Sequence, residues 1–169
     1  MIFREGELEF DFTGAAAAER LDEQGVPVPH GMRFVDFVVE EPSGLLLVEV
    51  KDPSESGATP RSRAEWLRRL RCDSLVNETL VPKCRDSYTY LHLMERDDKP
   101  ITYLVVLGLC GLPTVTAAHL QQLNTRLRAR LAKEAAQPWK RAYAPNCAIV
   151  NVADWGTAVG RYSVVRTPP

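Results

Sequence analysis

From Glu7 to Phe12 polar and apolar residues alternate, the period of a half-buried strand. Ala15 to Gln24 then reads as a short helix, ended by Gly25 and Pro27. Two apolar, β-branched runs follow, Arg33 to Glu40 (RFVDFVVE) and Leu45 to Lys51 (LLLVEVK). Between them Glu41-Pro42-Ser43-Gly44 predicts a hairpin turn. Asp52 to Pro60 (DPSESGATP) is the one linker-like stretch, and it follows directly on Lys51. Ser62 with Glu65 three residues on predicts a capped helix running to about Leu80. Pro82 breaks or restarts that helix, and a second piece is expected from Cys84 to about Glu95. Ile101 to Leu109 is apolar on both faces, as in a central strand covered on each side. Leu120, Leu123, Leu127 and Leu131 mark one face of a later helix, and Cys147 to Val152 and Arg161 to Val165 supply two last strands. The expected fold class is α/β, a sandwich with a mixed central sheet flanked by helices.

Composition sets bounds on this picture. With 169 residues, 45% of them apolar, residues 1–169 are read as a single domain that needs neither disulfide nor metal to fold. Cys72, Cys84, Cys110 and Cys147 form no CxxC pair and are read as reduced core thiols of a cytoplasmic protein. The opening MIFREGELEFDF is neither a signal peptide nor a membrane span, so no membrane partner is expected. A net charge of −1 argues against nucleic-acid binding by bulk positive charge. The charge is segregated, however. Residues 61 to 71 hold Arg61, Arg63, Arg68, Arg69 and Arg71 against Glu65, and residues 126 to 141 hold six bases against Glu134.

The hairpin carries the candidate chemistry. A two-residue loop pairs 41 with 44 and a four-residue loop pairs 40 with 45, which is one register, and it sets Asp36 opposite Glu49. A three-residue loop would slip it. Lys51 lies two residues beyond Glu49 and so emerges on the same face. Two carboxylates in an apolar neighbourhood repel, and burial makes each charge costlier to hold. A hard divalent cation, Mg²⁺ or Mn²⁺, would compensate, with Asp36, Glu49 and the backbone carbonyl of Val50 as oxygen ligands. The bland alternative is an ordinary Glu49–Lys51 ion pair with Asp36 at a strand edge.

An acid on one core strand, here Asp36, followed by acid-x-Lys on the next, here Glu49-Val50-Lys51, resembles the PD-(D/E)xK nuclease superfamily, the restriction-endonuclease-like fold. That core runs helix, three strands, helix, strand, and maps onto residues 15 to 109. Val35 stands where the motif name has Pro, and an extra strand precedes the first helix. The resemblance implies a metal-dependent nuclease with Asp36, Glu49 and Lys51 as catalytic residues and nucleic acid, DNA rather than RNA, as partner. Cutting both strands of a duplex would call for a homodimer. The family's first helix often adds an acid near the metal; Glu19 and Glu23 are candidates, and Glu23 is preferred. Arg61, Arg63, Lys83 and Arg85 are candidate nucleic-acid contacts. His30 could face the site entrance, His92 and His119 are read as structural, and Trp66, Trp139 and Trp155 as core or lid aromatics. The alternative function is a catalytically inactive domain of this fold that serves as a nucleic-acid-binding or assembly module. A third is an unrelated α/β domain with a structural ion pair.

Overall fold

A computed structural model describes residues 1–23, 31–112, 114–135 and 146–167. Among the described residues eight strands form two sheets. A three-stranded antiparallel sheet joins β1 (Ile2–Glu5), β2 (Leu8–Asp11) and β8 (Ser163–Arg166), with β2 in the middle. A five-stranded mixed sheet has the order β3 (Ala17–Arg20), β4 (Phe37–Glu41), β5 (Gly44–Lys51), β6 (Ile101–Leu107) and β7 (Asn146–Asn151). The first three of these strands form an antiparallel meander, and β6 and β7 run parallel to β5. Parallel neighbours need long crossovers. Helices α1 (Pro60–Arg71) and α2 (Val81–Leu93) lie in the first crossover and α3 (Ala117–Ala135) in the second; a short α4 (Trp155–Ala158) precedes β8.

The large sheet is buried on both faces, which explains its nearly unbroken apolar strands. On one face Val38, Leu45, Leu47, Tyr103 and Val105 pack against Leu70, Leu80, Val81, Leu91, Leu123, Leu127 and Leu131 of the helices. On the other, Phe37, Val39, Val48, Val50, Leu104 and Val106 meet Leu8, Phe10 and Phe12 of the small sheet's layer, together with Trp155 and Tyr162. The odd positions of β5 therefore look toward the helices and the even ones toward the small sheet.

The predicted helix from Ala15 to Gln24 is corrected: Ala17–Arg20 is an edge strand. Alanine's helix preference is a weak prior, and here the ladder with β4 overrides it. That ladder is extended by hydrogen bonds from Ala16 N–H to Glu40 O (2.9 Å) and from Leu21 N–H to Asp36 O (3.0 Å). The first strand, Ile2–Glu5, was not foreseen.

The long predicted helix also differs. Thr59, not Ser62, caps α1: its Oγ1 accepts from Ser62 N–H at 3.1 Å, with Pro60 in the first turn. Glu65 pairs instead with Arg68. The helix stops at Arg71, and a π-helical turn, Val76–Leu80, leads into α2. Pro82 restarts the helical segment, one of the two expected outcomes, lying in the first turn of α2. Having no N–H, it leaves the Glu78 carbonyl without its usual helical donor, and Arg33 Nη1 fills the gap at 2.6 Å. Cys84 and Cys147 are buried, as a core thiol should be, but Cys110 is exposed and Cys72 half-buried; all four are free thiols.

Candidate active site

Asp36 stands one residue before β4, and the hairpin pairs Phe37 with Val48 and Glu41 with Gly44 across the two-residue tip Pro42-Ser43. Continued by one position, this register sets Asp36 against Glu49, as the sequence predicts. Two further bonds hold Asp36 there. Its carbonyl receives Leu21 N–H, and its Oδ2 accepts Val50 N–H at 2.6 Å. Glu49 and Lys51 lie at the C-terminal end of β5 on the helix-facing side.

Lys51 Nζ lies 2.5 Å from Glu49 Oε1 and donates to the Val50 carbonyl at 3.1 Å. A second ammonium enters from α2. Lys83 Nζ stands 3.1 Å from Glu49 Oε2, 3.5 Å from Asp36 Oδ1 and 3.2 Å from Asp22 Oδ2. Lys83 was foreseen as a phosphate contact; the structure places it between the two carboxylates, its side chain only 13% exposed. Two lysines thus supply the compensation that the two acids require.

Burial decides the electrostatics. The Glu49 side chain is fully buried, and its carboxyl is pushed up to about 7 by burial, with Asp36 adding to the shift and Lys51 and Lys83 opposing it. Asp36 is raised too, again chiefly by burial, against the pull of Lys83, Lys51 and the Val50 N–H. Burial alone would lower the Lys83 ammonium, but Glu49 and Asp36 outweigh it and the net shift is upward. Lys51 and Lys83 each pair with one of the two buried Glu49 oxygens, at 2.5 and 3.1 Å.

Two buried carboxylates side by side are hard oxygen donors of the kind that suits a divalent cation of the Mg²⁺ type. Among the described residues no three His, Cys, Asp or Glu side chains converge as a metal-binding group.

The preferred extra acid, Glu23, is exposed, and among the described residues it makes no ion pair with this cluster. Its neighbour Asp22 reaches Lys83 instead. Glu19 pairs with Arg96 at 2.5 Å. Arg61 is exposed at the start of α1. Arg63 is turned to its own loop, donating to Pro53 O (3.3 Å) and Glu55 O (3.1 Å). Arg85 sits with Asp86 at 3.1 Å and Glu134 at 3.8 Å. His92 meets Asp97, and His119 meets Thr116. Trp155 is core, donating to Tyr162 O at 2.8 Å, and Trp66 is partly buried against the helix-side core. His30 and Trp139 lie outside the described residues.

One part of the site had no sequence signal. The loop after Lys51 is braced from the far end of the chain: Arg166 donates to Asp52 Oδ1 and Ser54 Oγ, both at 2.8 Å, and to Glu7 Oε2 at 2.7 Å. Glu7 Oε1 in turn accepts Ser56 N–H at 2.8 Å. Gly108 donates to the Lys51 carbonyl at 2.9 Å, and a Cβ at Gly108 would lie 2.1 Å from Asp52 Oδ1. Only glycine permits that approach.

Comparison with family models, curated proteins and solved structures gave no match. No described helix is long and apolar enough to cross a membrane.

Proposed function

We propose that this chain is a metal-dependent nuclease of the PD-(D/E)xK kind, hydrolysing phosphodiester bonds of nucleic acid, DNA rather than RNA. The observation that carries the proposal is the meeting of Asp36, Glu49 and Lys51 from neighbouring chain segments, with the Glu49 side chain fully buried. The topology agrees with the resemblance in part: the hairpin, the helices and the strand Ile101–Leu107 follow in the expected order, but a strand stands where the first helix was expected.

Asp36, Glu49 and the Val50 carbonyl would hold Mg²⁺ or Mn²⁺, which when bound supplies acidification of an attacking water and neutralisation of phosphate charge. The chain's own groups do the rest. The Val50 N–H fixes one oxygen of Asp36 and Lys51 fixes one of Glu49. Lys51, about a quarter exposed, is the cation that faces outward and can orient the water or stabilise charge developing on the phosphate. Arg61, exposed at the start of α1, would contact the backbone of a bound strand. Cleavage of labelled DNA with Mg²⁺, with EDTA and with the variants Asp36→Asn and Lys51→Ala tests the assignment. Loss in EDTA and in both variants is expected; unchanged activity in both variants sinks it.

One observation favours a second reading, a catalytically silent nucleic-acid-binding or assembly module. Lys51 and Lys83 together balance Asp36 and Glu49 without a metal. Salt-dependent binding that ignores EDTA, with no cleavage under any condition, supports that reading instead.

A further inference from the structure

Each of the two buried carboxylates has one oxygen tied to a fixed group and one turned to Lys83. On Asp36, Oδ2 accepts the Val50 N–H at 2.6 Å while Oδ1 lies 3.5 Å from Lys83 Nζ. On Glu49, Oε1 lies 2.5 Å from Lys51 Nζ while Oε2 lies 3.1 Å from Lys83 Nζ. Lys83 therefore stands between the two acids, within reach of one oxygen of each. Its third partner, Asp22, is 3.2 Å away, and its side chain is half exposed, at the outer side of the cluster.

We propose that Lys83 is a resident counter-cation that a divalent metal displaces, and that Asp22 receives the displaced ammonium. This inference rests on the metal site proposed above and assigns roles to two residues outside the ligand set. Lysine suits the task because its charge is compact and its four-carbon stem is flexible. Without metal, Lys83 keeps two buried charges from standing uncompensated, a situation that costs several kcal/mol when one partner is removed. With metal, the ammonium leaves Asp36 Oδ1 and Glu49 Oε2 but stays paired through Asp22, so its displacement does not strand a buried cation. The metal affinity then contains the cost of moving Lys83, reduced by the Asp22 contact. Asp22 acts only through Lys83 and is no ligand.

This assignment gives effects of opposite sign on binding itself. Titration calorimetry with MnCl₂ and with MgCl₂ on the full chain, at mildly alkaline pH so that Glu49 stays ionised, should show tighter binding in Lys83→Met. The gain expected is on the order of tenfold, the scale of coupling between groups in contact. Asp22→Asn alone should weaken binding several-fold, and added to Lys83→Met it should change nothing. Should Lys83→Met not fold, Lys83→Gln replaces it, and the half-exposed Asp22→Asn variant is mild in any case. Weaker or unchanged binding in the Lys83 variants overturns the proposal. So does a loss from Asp22→Asn that persists in the double variant, since that marks Asp22 as a direct ligand. Absence of binding in every protein overturns the metal-dependent reading together with this one, whereas binding in the wrong pattern overturns this one alone.

Discussion

Arg166 Nη2 stands 2.8 Å from Asp52 Oδ1, linking the last strand to the residue that follows Lys51 across 114 positions of sequence. The same guanidinium reaches Glu7 and Ser54, so one side chain fastens the small sheet to the loop that leaves β5. Its side chain is about a quarter exposed and Asp52 is nearly buried, which shields the contact from full solvent screening. Arg166→Met should cost about 2–3 kcal/mol of stability, the scale of hydrogen bonds to charged groups. Urea unfolding checks this, and a loss below about 0.5 kcal/mol, as at an ordinary surface position, would reduce the brace to a surface contact.

Gly108 offers a sharper test of the same region. An alanine methyl there meets Asp52 Oδ1 at 2.1 Å and Arg166 Nη2 at 3.1 Å, so the loop or strand β6 must shift. Gly108→Ala is expected to destabilise the fold by about 1–3 kcal/mol, the usual cost of overpacking. Thermal and urea unfolding that matches the wild type would count against the close approach.

The pH dependence of stability follows from Glu49. Its carboxyl titrates near 7 in the folded chain against an ordinary value of 4.5, so between those limits the folded chain holds a proton that the unfolded chain has released. Stability from this group is complete below about pH 4.5 and falls as the pH rises through about 7, by roughly 3 kcal/mol. Glu49→Gln lacks this titration. The wild type should lose stability relative to the variant across that interval in denaturation series, and a difference that stays flat with pH would show that Glu49 is ionised throughout.

For activity, Lys51→Ala and Asp36→Asn should each lower single-turnover DNA cleavage by about 10²–10³-fold, the usual loss when one fixed group aimed at developing charge is removed. Arg85→Ala should leave it within about twofold, since Arg85 is occupied by Asp86 and Glu134 away from the acids. A rate in Arg85→Ala as low as that of Lys51→Ala would place the substrate across α2.

Much of the site was legible because it lies on one hairpin. Alternation fixes which side chains share a face, and a two-residue turn fixes the register, so Asp36, Glu49 and Lys51 could be placed from local rules alone. Lys83 could not, because a helix approaching a sheet has no register that the sequence displays; its apolar face says only that it packs. Asp22 was hidden by the misreading of Ala17–Arg20 as a helix, which drew attention to Glu19 and Glu23 as a same-face pair. Arg166 and Glu7 carried no signal at all, being polar residues on a short strand and in a turn, whose partners lie at the opposite end of the chain.

The sequence by itself determined the α/β character, a buried central strand beginning at Ile101, the helical face of Leu123, Leu127 and Leu131, and, given an even-numbered loop, the register of the hairpin. These depend on periodicity and on contacts a few residues apart. Only the tertiary structure decided that Ala17–Arg20 would be a strand, that the chain's two ends would make a second sheet, and that a lysine from α2 would sit between the two acids. Those outcomes depend on long-range pairing, where the free energy of burying charge and completing a ladder outweighs local propensity, and on a distance between segments that no local pattern encodes.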